Sequence, residues 1–189
     1  MSYCTQMNKK YLLVVAVILL VLAVAGYGTY FIQDRAEKER VNEAANTLFG
    51  DPKTTPYIDR NGNKVNLESY LGTILVVNSW ASWSPFSVQE LQDLNQVAGD
   101  YLERGVTIIA INRKENNDQA QRFLQTLPTL PHLKIVVDTT DYFYGAIGGY
   151  AMPETVIYNK AGTIVLHRQG AMTKEEIQAA VQTTIDSGK

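Results

Sequence analysis

The chain has 189 residues, of which 46% are hydrophobic and 19% are charged, and its formal net charge is −2. This length allows one ordinary domain and an appendage. The small acidic excess and the scattered basic residues argue against a nucleic-acid partner.

The N-terminal part contains one long apolar run. No charged residue occurs from Tyr11 to Gln33, and about 20 apolar residues are enough to cross a bilayer as a helix. We therefore predict a single transmembrane signal-anchor helix over 11–33. The alternative is a cleaved signal peptide, because Ala23–Ala25 fits a small-x-small cleavage site.

The charges that flank this run predict its orientation. Lys9 and Lys10 precede the run, whereas the charges that follow it over 34–40 balance. The positive-inside rule then predicts a cytoplasmic tail over 1–10 and an extracytoplasmic or periplasmic position for the rest of the chain. The chain is thus expected in the cell membrane as a single-pass protein.

The only cysteine, Cys4, lies in the predicted cytoplasmic tail. The exported part therefore has no thiol and can form no disulfide bond. Cys4 is either an idle thiol or a site of reversible acylation. No cluster of His, Cys, Asp and Glu has the spacing of metal ligands, so neither a metal nor a cofactor is expected.

A charged linker separates the apolar run from the predicted domain. Residues 34–48 are typical of a short helix or stalk, and Gly50 and Pro52 break this segment. We therefore assign 34–54 to a stalk or linker and 55–189 to one folded domain.

The domain alternates strands and helices. Asn61-Gly62 between two short alternating runs predicts an N-terminal β-hairpin. The elements predicted after it are a strand over 73–79, a helix from Ser84 to Gly105, a strand over 106–112, a helix over 117–127, a strand over 133–138, a short helix over 140–147, a hairpin of 155–159 and 163–167, and a helix from Thr173 with a Thr173–Glu176 capping box. This order predicts a three-layer α/β domain with a largely parallel sheet.

The corner Trp80–Ser87, with the sequence W-A-S-W-S-P-F-S, joins the first core strand to the next helix. Ser84 before Pro85 is typical of a helix N-cap, and Ser87 lies in the first turn. A serine nucleophile needs a nearby base. The only candidates are His132 and His167, and the G-x-S-x-G motif is absent. We therefore predict a helix cap rather than hydrolase chemistry.

The run V-V-N-S-W-A-S-W-S-P-F-S-V-Q-E-L resembles the thioredoxin-like redoxin family of membrane-anchored proteins of the TlpA, ResA and DsbE type. That family's pattern reads V-V-N-F-W-A-S-W-C-x-x-C-x-x-E-x-P. The similarity extends over about residues 55–187 and includes D-R-N-G-N-K-V-N-L and A-M-P-E-T-V-I-Y-N-K-A-G-T-I-V. The resemblance implies a thioredoxin fold with an N-terminal β-hairpin extension, preceded by the transmembrane helix.

The resemblance places family roles on single residues. Ser84 and Ser87 occupy the two redox cysteine positions, and Pro153 matches the cis-proline that faces the corner and helps to bind extended polypeptide. Asn78 and Glu90 match polar family positions; by itself, Glu90 is expected to be a solvated helix residue rather than a proton carrier.

Three features depart from the family pattern. Gln92 replaces a proline, Ala151 stands where glycine commonly precedes the cis-proline, and the G-A-I-G-G-Y approach is longer than usual. These changes bear on the shape of the groove rather than on the fold.

The serines also change the predicted chemistry. The first cysteine of the family attacks as a thiolate, and disulfide exchange requires two sulfur atoms. A hydroxyl supplies neither, so the chain as written is predicted to be redox-inactive.

Three hypotheses for function follow. The first is non-covalent binding of extended polypeptide or of a membrane-protein partner at the corner, as a holdase or adaptor. The second is a thiol–disulfide oxidoreductase of this family seen as an inactive Cys-to-Ser form, and the third is a purely structural domain. The predicted binding residues are Trp83, Pro85, Phe86, Tyr150, Met152 and Pro153. The alternative is that these side chains only cover the edge of the sheet.

Overall fold

The computed structural model describes residues 13–32 and 55–188. The chain separates into two units, Met1–Asn42 and Glu43–Lys189, which are described separately. The predicted tail over 1–10 and the predicted linker over 34–54 lie outside the described residues.

The described part of the first unit is one helix, α1 (Leu13–Ile32). Its 20 residues are long and apolar enough to cross a membrane, and none of the span is buried by protein. A lipid-facing span has this composition, because only apolar side chains are stable against hydrocarbon tails.

The second unit is a mixed α/β domain with one six-stranded sheet. Its strands are β1 (Tyr57–Asp59), β2 (Ile74–Trp80), β3 (Val106–Arg113), β4 (Lys134–Asp138), β5 (Glu154–Tyr158) and β6 (Ile164–Gln169). Its helices are α2 (Pro85–Asp100), α3 (Asn117–Leu124), α4 (Tyr142–Ala146) and α5 (Lys174–Asp186).

The strand order is β1-β4-β3-β2-β5-β6. The three central strands β4, β3 and β2 are parallel, whereas β1, β5 and β6 join antiparallel. Every residue of β2 is buried, as expected for a central strand covered on both faces. The three-layer α/β arrangement predicted from the sequence is confirmed, but the sheet is mixed rather than largely parallel, because three of its five strand pairings are antiparallel.

The strands divide the core into two clusters, because successive side chains point to opposite faces of a sheet. Ile74, Val76 and Trp80 of β2 pack with α2, α3 and α5 on one face. Leu75 and Val77 pack on the other face, with Phe143 of α4. Asn78 shares the parity of Ile74 and Val76, so this polar residue of β2 faces the side that α2 covers.

Three elements are clearly shorter than the sequence predicts, and one of them is α3, which ends at Leu124 instead of reaching residue 127. The N-terminal hairpin is reduced to a single bridge between Ile58 and Lys64, because Leu67–Tyr70 turns into a 3-10 helix capped by Asn66 and β1 pairs with β4 instead. The helix predicted to reach Gly105 ends at Asp100, and a separate 3-10 turn follows over Leu102–Arg104. Gly105 then adopts φ +71°, a left-handed conformation that suits glycine.

Candidate functional site

Ser84 lies at the N-cap position of α2, but its side chain does not cap the helix. The N-cap hydroxyl would accept from an amide of the first turn. Pro85 has no N–H, and the Ser87 N–H is already bound by the Ser84 carbonyl at 3.2 Å. The Ser84 hydroxyl instead donates to the Met152 carbonyl, with an Oγ–O distance of 3.2 Å. The prediction of a side-chain cap is therefore wrong.

The two serines of the corner that occupy the family's redox positions, Ser84 and Ser87, are buried. Ser84 is 2% exposed and Ser87 is not exposed at all. The Ser87 Oγ has no hydrogen-bond partner among the described residues. Neither hydroxyl is presented to solvent, so the site cannot work by offering them to a ligand.

The exposed groups at the corner are aromatic. Trp83 is 64% exposed, Phe86 is 65% exposed and Tyr150 is 85% exposed. The Ser84–Met152 hydrogen bond brings the segment that contains Trp83 and Phe86 next to the loop that contains Tyr150. Among the other predicted binding residues, Pro85 is exposed, Met152 is half-buried and Pro153 is buried. The Met152–Pro153 peptide bond is cis, as expected.

The loop before Pro153 is held by a buried carboxylate. Glu154 is fully buried, and its Oε1 accepts hydrogen bonds from the backbone N–H groups of Tyr150 and Ala151. Its Oε2 pairs with the His167 Nε2 at 2.8 Å. A carboxylate that loses contact with water is stable only when its oxygens are hydrogen-bonded, so Glu154 fixes this loop.

Tyr144 holds the same loop from another side. Its hydroxyl donates to the Ala151 carbonyl at 3.1 Å, and its ring lies 3.5 Å from the Arg113 guanidinium. Arg113 is also paired with Asp141. Burial raises the pKa of the Tyr144 phenol above its ordinary value, so the hydroxyl keeps the proton that it donates.

Glu90 lies beneath the corner and is 1% exposed, so the expectation of a solvated residue is wrong. It accepts from the Met172 N–H at 3.0 Å, the Asn78 Nδ2 at 3.1 Å and the Thr155 hydroxyl at 3.3 Å. Burial raises its pKa to about 7, although these hydrogen bonds act in the opposite direction. The structure thus brings together Glu90 and Asn78, the two family-matched polar residues.

Glu115 is a residue of the site that the sequence analysis missed. It is 6% exposed and accepts from the Ser82 N–H at 3.0 Å, the Ser82 hydroxyl at 2.5 Å and the Asn112 Nδ2 at 2.6 Å. Glu115 and Ser82 each follow the carboxyl end of one of two neighbouring parallel strands. Such ends meet at one edge of a sheet, and this topology was the signal that was available.

The arrangement offers no base to either serine. Ser84 contacts a carbonyl rather than an imidazole, and His167 is engaged with Glu154. His132 lies in a different loop, where its backbone N–H donates to the Asn95 Oδ1 at 2.9 Å. Among the described residues, no three His, Cys, Asp or Glu side chains are grouped to hold a metal. The large side chains that the corner and the neighbouring loop leave exposed are the aromatic Trp83, Phe86 and Tyr150.

Comparisons with known proteins match this fold. The Redoxin family model matches residues 44–183. Proteins named thiol-disulfide oxidoreductase ResA are similar to this chain. The one from Geobacillus kaustophilus is 29% identical over 94% of this chain and 98% of its own length, and the one from Halalkalibacterium halodurans is 26% identical over 90% and 93%.

Solved structures show the same fold. The dsbF structure from MTB has a TM-score of 0.63 and 21% identity, and covers 74% of this chain and 97% of its own. A putative thiol:disulfide interchange protein DsbE from Chlorobium tepidum has a TM-score of 0.63 and 22% identity, and covers 68% and 90%.

Proposed function

The chain belongs to the Redoxin family, among its thioredoxin-like thiol-disulfide oxidoreductases, and on this premise we propose that it is a redox-inactive binding protein. It keeps the polypeptide-binding corner of the family and has lost the redox chemistry. The observation that carries the proposal is the contrast at the corner: the redox positions Ser84 and Ser87 are buried hydroxyls, whereas Trp83, Phe86 and Tyr150 are largely exposed.

The loss of redox chemistry follows from the two hydroxyls. Disulfide exchange proceeds through a mixed disulfide between two sulfur atoms, and oxygen cannot take the place of either one. A hydroxyl also stays protonated at neutral pH, and the N-terminus of α2 does not lower its pKa enough to change this. Ser84 uses its proton in the bond to the Met152 carbonyl.

The binding surface consists of Trp83, Phe86, Tyr150 and Met152, and we call it the corner surface. Large exposed aromatic side chains are uncommon on a surface that contacts only water, and they contribute strongly where proteins bind. The half-buried Met152 accepts the Ser84 hydroxyl at its carbonyl, and its backbone N–H has no hydrogen-bond partner among the described residues. An extended polypeptide fits this chemistry, because its carbonyl groups accept from a free N–H while its side chains cover aromatic rings.

The double variant Trp83→Ala, Phe86→Ala tests this surface. We expect at least a tenfold loss of affinity for reduced and carboxymethylated α-lactalbumin, a permanently unfolded polypeptide, because two aromatic contacts of about 1 kcal/mol or more each are removed. The measurement is fluorescence anisotropy of the labelled polypeptide with the full chain in nanodiscs.

Leu102→Ala is the matched control. Leu102 is an apolar side chain with 63% exposure, close to that of Trp83, but it lies in the 3-10 turn after α2. We expect its affinity to remain within twofold of that of the unchanged chain. Equal affinities for all three proteins, or no binding by the unchanged chain, would contradict the proposed function.

We propose the following domain organisation: a cytoplasmic tail over 1–10, a transmembrane helix over 11–33, a linker over 34–54 and an extracytoplasmic domain over 55–189. The apolar α1 supports the membrane anchor. The orientation rests on Lys9 and Lys10, which precede the apolar run.

The single cysteine allows a direct test of this orientation. In spheroplasts, a membrane-impermeant maleimide is expected to leave Cys4 unlabelled until the membrane is permeabilised. A Cys4→Ser, Ser69→Cys variant moves the thiol to an exposed position of the domain, and it should be labelled without permeabilisation. Labelling of Cys4 in sealed spheroplasts would contradict the orientation, and release of the protein by alkaline carbonate would contradict the anchor.

A second candidate function is disulfide exchange by a form of this chain with cysteines at 84 and 87. The observation that favours it is the setting of the two positions: both are buried at the start of α2, beside the Met152–Pro153 loop and above Glu90. This candidate requires sulfur at both positions, and the experiment that tests it is described in the Discussion.

A further inference from the structure

The loop before Pro153 leaves few backbone groups free for a ligand. The N–H groups of Tyr150 and Ala151 are bound by Glu154, and the Ala151 carbonyl is bound by the Tyr144 hydroxyl. Of the three N–H groups at 150–152, that of Met152 alone has no partner among the described residues. The Met152 carbonyl, however, accepts the Ser84 hydroxyl.

The difference between the Met152 N–H and the Met152 carbonyl matters because an extended chain pairs with both the N–H and the carbonyl of one residue. In an antiparallel pair, the two opposed residues exchange two hydrogen bonds, each donating its N–H and accepting at its carbonyl. At Met152, the donor half of this pair is free and the acceptor half is occupied from within the protein.

We propose that the Ser84 hydroxyl is a latch that closes the Met152 carbonyl and so weakens the binding of extended polypeptide to the corner. The inference rests on the proposed function, because it specifies how the corner surface holds its ligand. A bound chain pairs with the Met152 N–H, and its own N–H must compete with the Ser84 hydroxyl for the Met152 carbonyl to gain the second hydrogen bond.

The latch depends on oxygen at position 84. A hydroxyl is a good donor, whereas a thiol is a weak one. A cysteine at this position would therefore leave the Met152 carbonyl more available, and serine closes it. Because Ser84 is 2% exposed, water competes little for its proton, which stabilises the closed arrangement.

The Ser84→Ala variant tests the latch. We expect it to bind reduced and carboxymethylated α-lactalbumin roughly three- to tenfold more tightly than the unchanged chain, the value of one hydrogen bond that no longer has to be broken. Ser84→Thr keeps the hydroxyl, and its affinity is expected to stay within twofold of that of the unchanged chain. The measurement is the same anisotropy titration with the full chain in nanodiscs.

Two further variants separate the latch from other effects. Ser87→Ala removes a buried hydroxyl that has no partner among the described residues, and its affinity should not change. Tyr144→Phe releases the same loop at Ala151 but leaves the Met152 carbonyl bound to Ser84. If Tyr144→Phe strengthens binding as much as Ser84→Ala does, loosening of the loop explains the gain and the latch is contradicted.

The outcomes also distinguish this inference from the proposed function. Binding by the unchanged chain with no gain in Ser84→Ala contradicts the latch and leaves the proposed function intact. Binding by Ser84→Ala alone supports the latch, whereas no binding by any variant contradicts both. Urea unfolding adds a test without ligand. The urea concentration at the midpoint of unfolding should fall for Ser84→Ala and should not fall for Ser87→Ala. An unchanged midpoint for Ser84→Ala contradicts the latch.

Discussion

The variant Ser84→Cys, Ser87→Cys is expected to reduce disulfide bonds catalytically, whereas the chain with serines shows no turnover. The two substitutions place sulfur at the start of α2, where the helix dipole stabilises a thiolate. They also restore the pair that disulfide exchange requires, one thiol to attack and one to resolve the mixed disulfide. The measurement is reduction of insulin by dithiothreitol, with the full chain in detergent micelles.

The experiment needs a background without other thiols. Cys4 is the only cysteine of the chain, so all proteins in the comparison carry Cys4→Ser. The single variants Ser84→Cys and Ser87→Cys are the matched controls, and both should turn over far more slowly, because a lone thiol leaves its mixed disulfide to be resolved by dithiothreitol. Turnover by the serine form would contradict the proposed loss of redox chemistry, and an inactive double variant would contradict the second candidate function.

The order of elements was predictable because each signal was local. The central strands are runs of β-branched residues buried on both faces, and such runs favour strands wherever they occur. The start of α5 was predictable from an equally local signal, because Thr173 and Glu176 form the capping box that their spacing predicts. The family resemblance further predicted the neighbourhood of Ser84 and Met152, which are 68 residues apart.

The polar interior of the site was not predictable from local patterns. A serine before a proline is a typical N-cap in local sequence terms. In the folded domain, however, the Ser84 hydroxyl donates to the Met152 carbonyl, which is distant in sequence. From the sequence alone, Glu90 is expected to be a surface residue of α2. In the structure it is buried, and it accepts hydrogen bonds from Asn78, Thr155 and the Met172 N–H, which belong to three other segments. A buried carboxylate depends on its partners, and those partners are set by the tertiary fold.

The buried Glu90 makes the stability of the domain depend on pH. Its pKa in the folded protein is about 7, against an ordinary value of 4.5, and burial is the main cause. The folded state therefore favours the protonated carboxyl, because burial disfavours the charged form more than the hydrogen bonds from Met172, Asn78 and Thr155 stabilise it. Its contribution to the free energy of unfolding is greatest below pH 4.5, decreases as the pH rises to 7, and is constant above that.

The variant Glu90→Gln isolates this contribution, because the amide has nearly the same shape and does not titrate. The free energy of unfolding of Glu90→Gln minus that of the unchanged chain is expected to increase by up to about 3 kcal/mol between pH 4.5 and pH 7. The measurement is urea unfolding of the full chain in detergent micelles. Trp80 and Trp83, the only tryptophans, make intrinsic fluorescence a reporter of the domain.

Glu103→Gln is the matched control, because Glu103 is an exposed carboxylate in the 3-10 turn after α2. The difference between Glu103→Gln and the unchanged chain should stay flat over the same range. Other titrating groups are common to all three proteins and cancel in these differences. A flat difference for Glu90→Gln would show that folding does not shift the pKa of Glu90, and one that decreases as the pH rises would show that the folded state stabilises the ionised carboxylate. Either result contradicts the prediction, since only a raised pKa makes folding weaken as Glu90 loses its proton.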